Sequence, residues 1–346
     1  MNIFLLFLYI LVILFAFYNK KSKAVFGITF IMAWVLISGN YDNADYSNYY
    51  WRYTYGHDIL IDPGYTFLNT FFYKLGLDYR QFKTIVSFIC LLLIFRTIKI
   101  FSRDFSFCSA LFLIFPLIID VTQFRNFIAY SIVYAALPLL FHDTRKSLYE
   151  YVALIFVASS IHASSFFYMI FILTRFKINM WHLIVGLVLS FVMHDYIINT
   201  FTEEFETEKL EYENHVSIMG MIFLSLQVIL NVGLVWYVHH LQKTGIKSND
   251  IVAKFSSSNV LIYANFLTFL LIPFLFDNGN YARLFRNLTL IKTIYICNAD
   301  YIKKDFRYFL IGLYVFYFAY INYFAGSYYE LVFEPIFTYN DLFISF

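Results

Sequence analysis

The chain has 346 residues, 61% of them hydrophobic and only 14% charged, with a net charge of +2 and a mean hydropathy of +0.66. Soluble domains carry about 25% charged residues, so this composition excludes a soluble globular protein. The near-neutral charge, with no basic run interleaved with aromatics, excludes a nucleic-acid partner, and the three cysteines sit in apolar runs without CxxC or metal-ligand spacing.

A helix needs about 20 mainly apolar residues to cross a bilayer. Apolar spans lie near 2–18, 24–38, 84–100, 105–120, 126–141, 148–161, 163–174, 183–199, 217–238, 259–276, 284–297 and 309–325. They predict an all-α polytopic membrane protein with about 12 transmembrane helices, a single polytopic domain over residues 1–346. The first span has no basic segment before it and no small-residue cleavage site, so it reads as a retained helix.

Lys and Arg fall on alternate connectors, as the resistance of positive charge to export requires. Lys20, Lys21 and Lys23 follow the first span, and Arg96, Lys99 and Arg103 the third. Arg145 and Lys146 follow the fifth, and Arg175 and Lys177 the seventh. Lys243, Lys247 and Lys254 follow the ninth, and Lys303, Lys304 and Arg307 the eleventh, so that 16 of the 25 basic residues mark one side as cytoplasmic. Both termini are then predicted outside. The remaining nine are Arg52, Lys74, Arg80, Lys83, Arg125, Lys209, Arg283, Arg286 and Lys292, on the outer connectors or near outer helix ends.

Two outer loops exceed a simple turn, 39–83 and 200–216. The first opens with "GNYDNADYSNYYWRYTYGHD" and continues with "DPGYTFLNTFFYKLGL", where Asp62 before Pro63 signals a helix start. That apolar stretch is too short to cross and is expected to be an interfacial or re-entrant helix. An interfacial belt accounts for many of the aromatic rings but not for Asp42, Asp45 and Asp58 among them. Flat rings beside carboxylates suit a carbohydrate surface. The second loop carries Glu203, Glu204, Glu206, Glu208, Glu211 and Glu213, which read as a solvated face rather than a metal site.

Arg125, in "VTQFRNFIAYSIV", stands at the outer end of the fifth span and needs water or an anion. It either snorkels to a lipid phosphate or grips a substrate phosphate with its guanidinium fork, with Gln123 and Asn126 extending the polar patch. His162, in "SSIHASS", lies at a tight turn whose small serines allow close approach of a neighbouring helix or ligand; the plain alternative is an interfacial residue. Arg283 and Arg286, in "DNGNYARLFRN", share a helix face and repel unless an anion or carboxylate lies between them. Asp277 or lipid could serve, or a diphosphate. No phosphate-binding Gly-rich loop, GxSxG or HExxH occurs, which disfavours cytosolic nucleotide chemistry.

The order "YDNADYSNYY", "DPGYTFLN", "FRNFIAYSI" and "IHASSFFY" resembles the EpsG family of bacterial membrane proteins, a branch of the Wzy-like polysaccharide polymerases. The resemblance covers about Asp42 to Phe166, with Asp62 where the family has glutamate and Asn126 where glutamine follows the arginine. It implies a glycosyltransferase on the outer face of the bacterial plasma (inner) membrane. Such an enzyme transfers a growing glycan from undecaprenyl diphosphate onto the non-reducing end of a lipid-linked oligosaccharide repeat. A flippase and a chain-length regulator would be its partners.

Glycosyl transfer from a diphosphate needs stabilisation of the leaving anion and removal of a proton from the attacking hydroxyl. Arg125, Arg283 and Arg286 are expected to hold the diphosphate, assisted by His162 and with Gln123 in the substrate site. Asp42, Asp45 or Asp62 would act as base or orient the acceptor, and Tyr46, Tyr49 and Tyr65 would line the sugar groove. No metal or cofactor is expected, because the arginines supply the positive charge. A glycan ligase on the same face is the nearest alternative. A flippase or transporter of lipid-linked oligosaccharide would need polar groups through both membrane halves and commonly shows internal repeats.

Overall fold

The structure is a computed structural model that describes residues 1–346 except 57, 61, 143, 177–179, 204–217, 242–258, 278–280, 300–301, 325–327 and 342–346. Among the described residues it is all-helical, with an isolated bridge between Asn40 and Asn340 and no strand. In chain order the first helices are α1 (Ile3–Tyr18), α2 (Lys23–Gly39), α3 (Tyr46–Tyr55), α4 (Pro63–Lys74) and α5 (Tyr79–Phe101). Then come α6 (Phe105–Phe112), α7 (Ile118–Thr122), α8 (Phe124–Ala136) and α9 (Arg145–Ile161). The second half contains α10 (Met180–Glu203), α11 (Ile218–Leu241), α12 (Asn259–Leu267), α13 (Ile272–Asp277), α14 (Ala282–Arg286), α15 (Thr289–Cys297), α16 (Lys304–Tyr323) and α17 (Glu334–Thr338).

The caps follow the sequence. The Asn2 side chain accepts from the Leu5 amide at 3.0 Å, Ser22 caps α2, and Asp78 with Gln81 forms a capping box on α5. The helix expected after Asp62 is α4, with Pro63 in its first turn. It ends at Gly76, whose φ of +77° lets Gly76 and Leu77 bond back to the Tyr73 and Phe72 carbonyls.

Among the described residues three segments are long and apolar enough to cross a membrane by length and composition, Tyr79–Phe101, Phe105–Thr122 and Phe124–Phe141. The shorter apolar helices include Ile3–Tyr18, Lys23–Gly39 and Ala163–Arg175. Ala163–Arg175 is a 3-10 rather than an α-helix, 13 residues long. At about 2.0 Å rise per residue it reaches about 26 Å, where an α-helix of that length would reach only about 20 Å. Phe105–Thr122 is the most enclosed of the three long segments, kinked within Leu113–Leu117, where the backbone of Phe115 is extended just before Pro116. Around it pack α1, α2 and α5, with Tyr9, Leu36, Phe95 and Phe112 in the apolar core.

Two ends emerge. At one, the connectors after α1, α5 and α15 meet: Lys20 lies 3.4 Å over the Tyr308 ring, Tyr308 donates to Asp104 at 3.2 Å, and Asn298 bonds the Phe101 carbonyl. Arg175 closes the same end by bonding the carbonyls of Leu139 and His142. At the other end, Tyr41 pairs with Tyr339 and Asn2 with Phe337 through the backbone, bringing α17 onto the start of the chain and the end of α2. The Tyr-rich segment, read as loop from its composition, forms α3 here because Tyr53 is buried, its ring stacked 4.9 Å from Phe82. Most of the 200–216 loop lies outside the described residues.

Candidate active site

The second end gathers most of the residues singled out in the sequence. Arg125 is the second residue of α8, just after Gln123 ends α7 with non-helical backbone. Its Nη1 lies 3.0 Å from Asp62 Oδ2, at the start of α4. Asp62 is nearly buried and makes no side-chain cap on α4, so its carboxylate serves the arginine rather than the helix start. Tyr49 of α3 lies in the field of Arg125, and its ring lies 6.2 Å from that of Tyr65.

His162 ends α9, its amide bonding the Ala158 carbonyl and its carbonyl accepting from the Ser165 amide. Arg283 Nη1 donates to His162 Nε2 at 3.3 Å. Burial, reinforced by the charges of Arg125 and Arg283, holds the imidazole well below its ordinary pKa, so the ring is neutral and able to accept. Three residues on, Arg286 donates to the Gln123 side-chain oxygen. The α14 turn is fixed by hydroxyls, with Tyr168 donating to the Leu284 carbonyl at 2.9 Å and Tyr134 to that of Asn287. Asn126 and Asn287 exchange amide bonds at 3.3 and 3.2 Å.

Asp45 precedes α3 and lies in the field of Arg283 and Arg125. Burial raises its pKa, and the two guanidiniums oppose the rise. The site thus joins Asp45, Tyr49, Asp62, Tyr65, Gln123, Arg125, His162, Arg283 and Arg286. Asp42 and Tyr46 stand elsewhere: Asp42 is exposed, and Tyr46 packs on Tyr50 and Tyr79 with Arg80 and Asp341 as charged neighbours.

Asp120 was missed. It is fully buried at the end of the kinked span, accepts from the Tyr130 hydroxyl, and is the first electrostatic partner of Arg286. A carboxylate inside the apolar run "LIFPLIIDVTQF" is the signal that could have found it. Among the described residues no group of three or more His, Cys, Asp or Glu could hold a metal ion.

A model of the EpsG family matches residues 23–340. The chain belongs to the EpsG family. It is a family of Wzy-like polysaccharide polymerases and glycosyltransferases. No curated protein and no solved structure matches the chain. The EpsG match extends well beyond the first half that the sequence motifs covered, and it takes in Arg283 and Arg286 with Arg125 and His162. In this EpsG protein the basic side chains belong to the start of α8, the end of α9 and the α14 turn, each anchored by a neighbouring element.

Proposed function

We propose that this EpsG protein is a polysaccharide polymerase. It transfers a growing glycan from undecaprenyl diphosphate onto the non-reducing end of a lipid-linked oligosaccharide repeat, at the outer face of the plasma membrane. The observation that carries the reading is the convergence of Arg125, Arg283 and Arg286 on one end of the bundle beside His162 and partly buried carboxylates. The arrangement of about 12 crossings with both termini outside is supported by the alternation of basic connectors along the sequence, of which those carrying Lys20 and Arg175 lie at the opposite end.

In the reaction the acceptor hydroxyl oxygen forms a bond to the anomeric carbon as the bond from that carbon to the diphosphate breaks. The electron pair leaves on the diphosphate, whose negative charge the three guanidiniums stabilise. Asp62 holds Arg125 in place, and Gln123 with Asp120 does so for Arg286. Asp62 is engaged in an ion pair that weakens it as a base, whereas burial strengthens Asp45 for this task. Asp45 therefore takes the hydroxyl proton, and Tyr49 presents its ring and hydroxyl to the sugars, while Tyr65, which is buried, backs the Tyr49 ring from behind.

The test is to replace Arg125 with alanine in the host and identify the glycan carried on the lipid. Single repeats on undecaprenyl diphosphate, with the protein still inserted, are the expected outcome. Long unattached polymer would instead indicate a ligase, and normal polymer would sink the assignment.

A further inference from the structure

The same helices that carry the arginine site at one end enclose a cavity at the other. It measures about 620 Å³ and lies between the last turns of α5, the end of α8 and the first half of α9. Some twelve residues along α9 separate Glu150 on its wall from His162, about 18 Å at helical rise. The space arises because Ala135 and Ala153 put only methyl groups into it, and Pro138 turns the chain into the 3-10 segment Leu137–Phe141. The volume falls within the range of about 300–1,000 Å³ typical of small-ligand sites.

The lining is mostly apolar, from Ile100, Leu139 and Leu154 among others, yet charged groups of both signs share it. Arg96 lines it from α5, and among the described residues it has no hydrogen bond or ion pair. Glu150 lines it from α9, and its ion pair with Lys146, on its own helix, is long at 3.8 Å and solvent-exposed. Arg96 and Glu150 form no ion pair with each other, so the cavity presents a cation and an anion, each available to a ligand. Ile89 and Leu92 precede Arg96 on one exposed face of α5, and Phe156 and Val157 continue the face of Ala153 on α9. The mouth is thus continuous with the apolar outer surface.

We infer that this cavity binds the headgroup of an aminophospholipid, with phosphate on Arg96, primary ammonium on Glu150, and acyl chains leaving along the exposed faces of α5 and α9. A headgroup with a phosphate and no ammonium satisfies Arg96 alone and places its net negative charge beside Glu150. The inference does not depend on the polymerase reading, since no residue is shared between the two sites.

The test uses the full chain in nanodiscs made from equal amounts of phosphatidylethanolamine and phosphatidylglycerol, extracted into mild detergent, with retained lipid identified by native mass spectrometry. The wild type should retain phosphatidylethanolamine in roughly fivefold preference, the scale of one partly exposed ion pair. Glu150→Gln should bring the ratio to about one without loss of total phospholipid, Arg96→Gln should lose both lipids, and Arg96→Lys should retain them. Both positions are exposed, so thermal unfolding of the variants should match the wild type. Equal retention of the two lipids by the wild type, or a preference that survives both substitutions, would overturn the inference.

Discussion

Arg125 and Asp62 form an ion pair at 3.0 Å that ties the first turn of α8 to the residue before α4. Their side chains are 17% and 6% exposed, so removing either partner leaves a poorly solvated charge at a cost on the order of 3 kcal/mol. Arg125→Ala and Asp62→Ala should each lower the thermal midpoint in detergent. An apolar pair, Asp62→Leu with Arg125→Met, should recover much of that loss, since matched apolar groups often replace a buried ion pair without penalty. The double variant should nevertheless make no polymer. If it polymerised, Arg125 would be structural only.

Gly64 marks how closely α4 approaches α9. A Cβ at that position would sit 2.9 Å from the Ser160 carbonyl carbon and 3.0 Å from its oxygen, both backbone atoms that cannot swing away. Gly64→Ala should therefore cost about 1–3 kcal/mol through overpacking. Because Asp62 lies two residues earlier, the same shift should loosen its pair with Arg125. Reduced polymer and a lowered thermal midpoint together would support this, and an unchanged midpoint would contradict it. Ser160→Gly should not rescue the variant, because the clash is also with backbone.

Asp120 separates electrostatic from packing roles. Asp120→Asn keeps an acceptor for the Tyr130 hydroxyl but removes the negative charge that favours the Arg286 guanidinium. The expected result is folded protein with polymer output reduced roughly tenfold, the scale of one charge-assisted interaction. Asp120→Ala also strands the Tyr130 hydroxyl in a buried setting, at an added cost of about 1–3 kcal/mol. Equal polymer output from Asp120→Asn and the wild type would remove Asp120 from the site.

Much of this site could be read from the sequence because charge is conspicuous in apolar surroundings. Arg125, His162, Arg283 and Arg286 interrupt or flank apolar spans, and Asp62 before Pro63 announced α4. The serines around His162 suggested close helix approach, and Gly64 against Ser160 is such an approach. What remained hidden depends on distant partners. Nothing local says that Asp62 meets Arg125, or that Tyr46 turns toward Tyr79 while Tyr49 turns toward Arg125. Asp120 disappears when hydropathy is averaged along its span. In Ala163–Arg175 the run from Phe166 to Leu173 is apolar at every position, so no periodic pattern distinguishes a 3-10 from an α-helix. The helix α3 needed tertiary burial of Tyr53, which its polar composition does not advertise.

The pH response provides a test of the His162 environment. Burial and two nearby guanidiniums lower its folded pKa below the unfolded value of about 6.5. As pH falls through about 6.5 the unfolded chain takes up the proton first, so stability present above that pH declines below it. Asp45 acts in the opposite sense, because a raised carboxyl pKa favours the folded state as pH falls. The difference between wild type and His162→Gln isolates the imidazole, since glutamine can still accept from Arg283 but does not titrate. Between about pH 7.5 and pH 5.5 the thermal midpoint of the wild type should fall further than that of His162→Gln. Parallel curves would mean that the imidazole titrates alike in the folded and unfolded chain, as a ring in water does. It would then not be the buried acceptor of Arg283, and the assignment of His162 as a neutral support for the diphosphate clamp would fail.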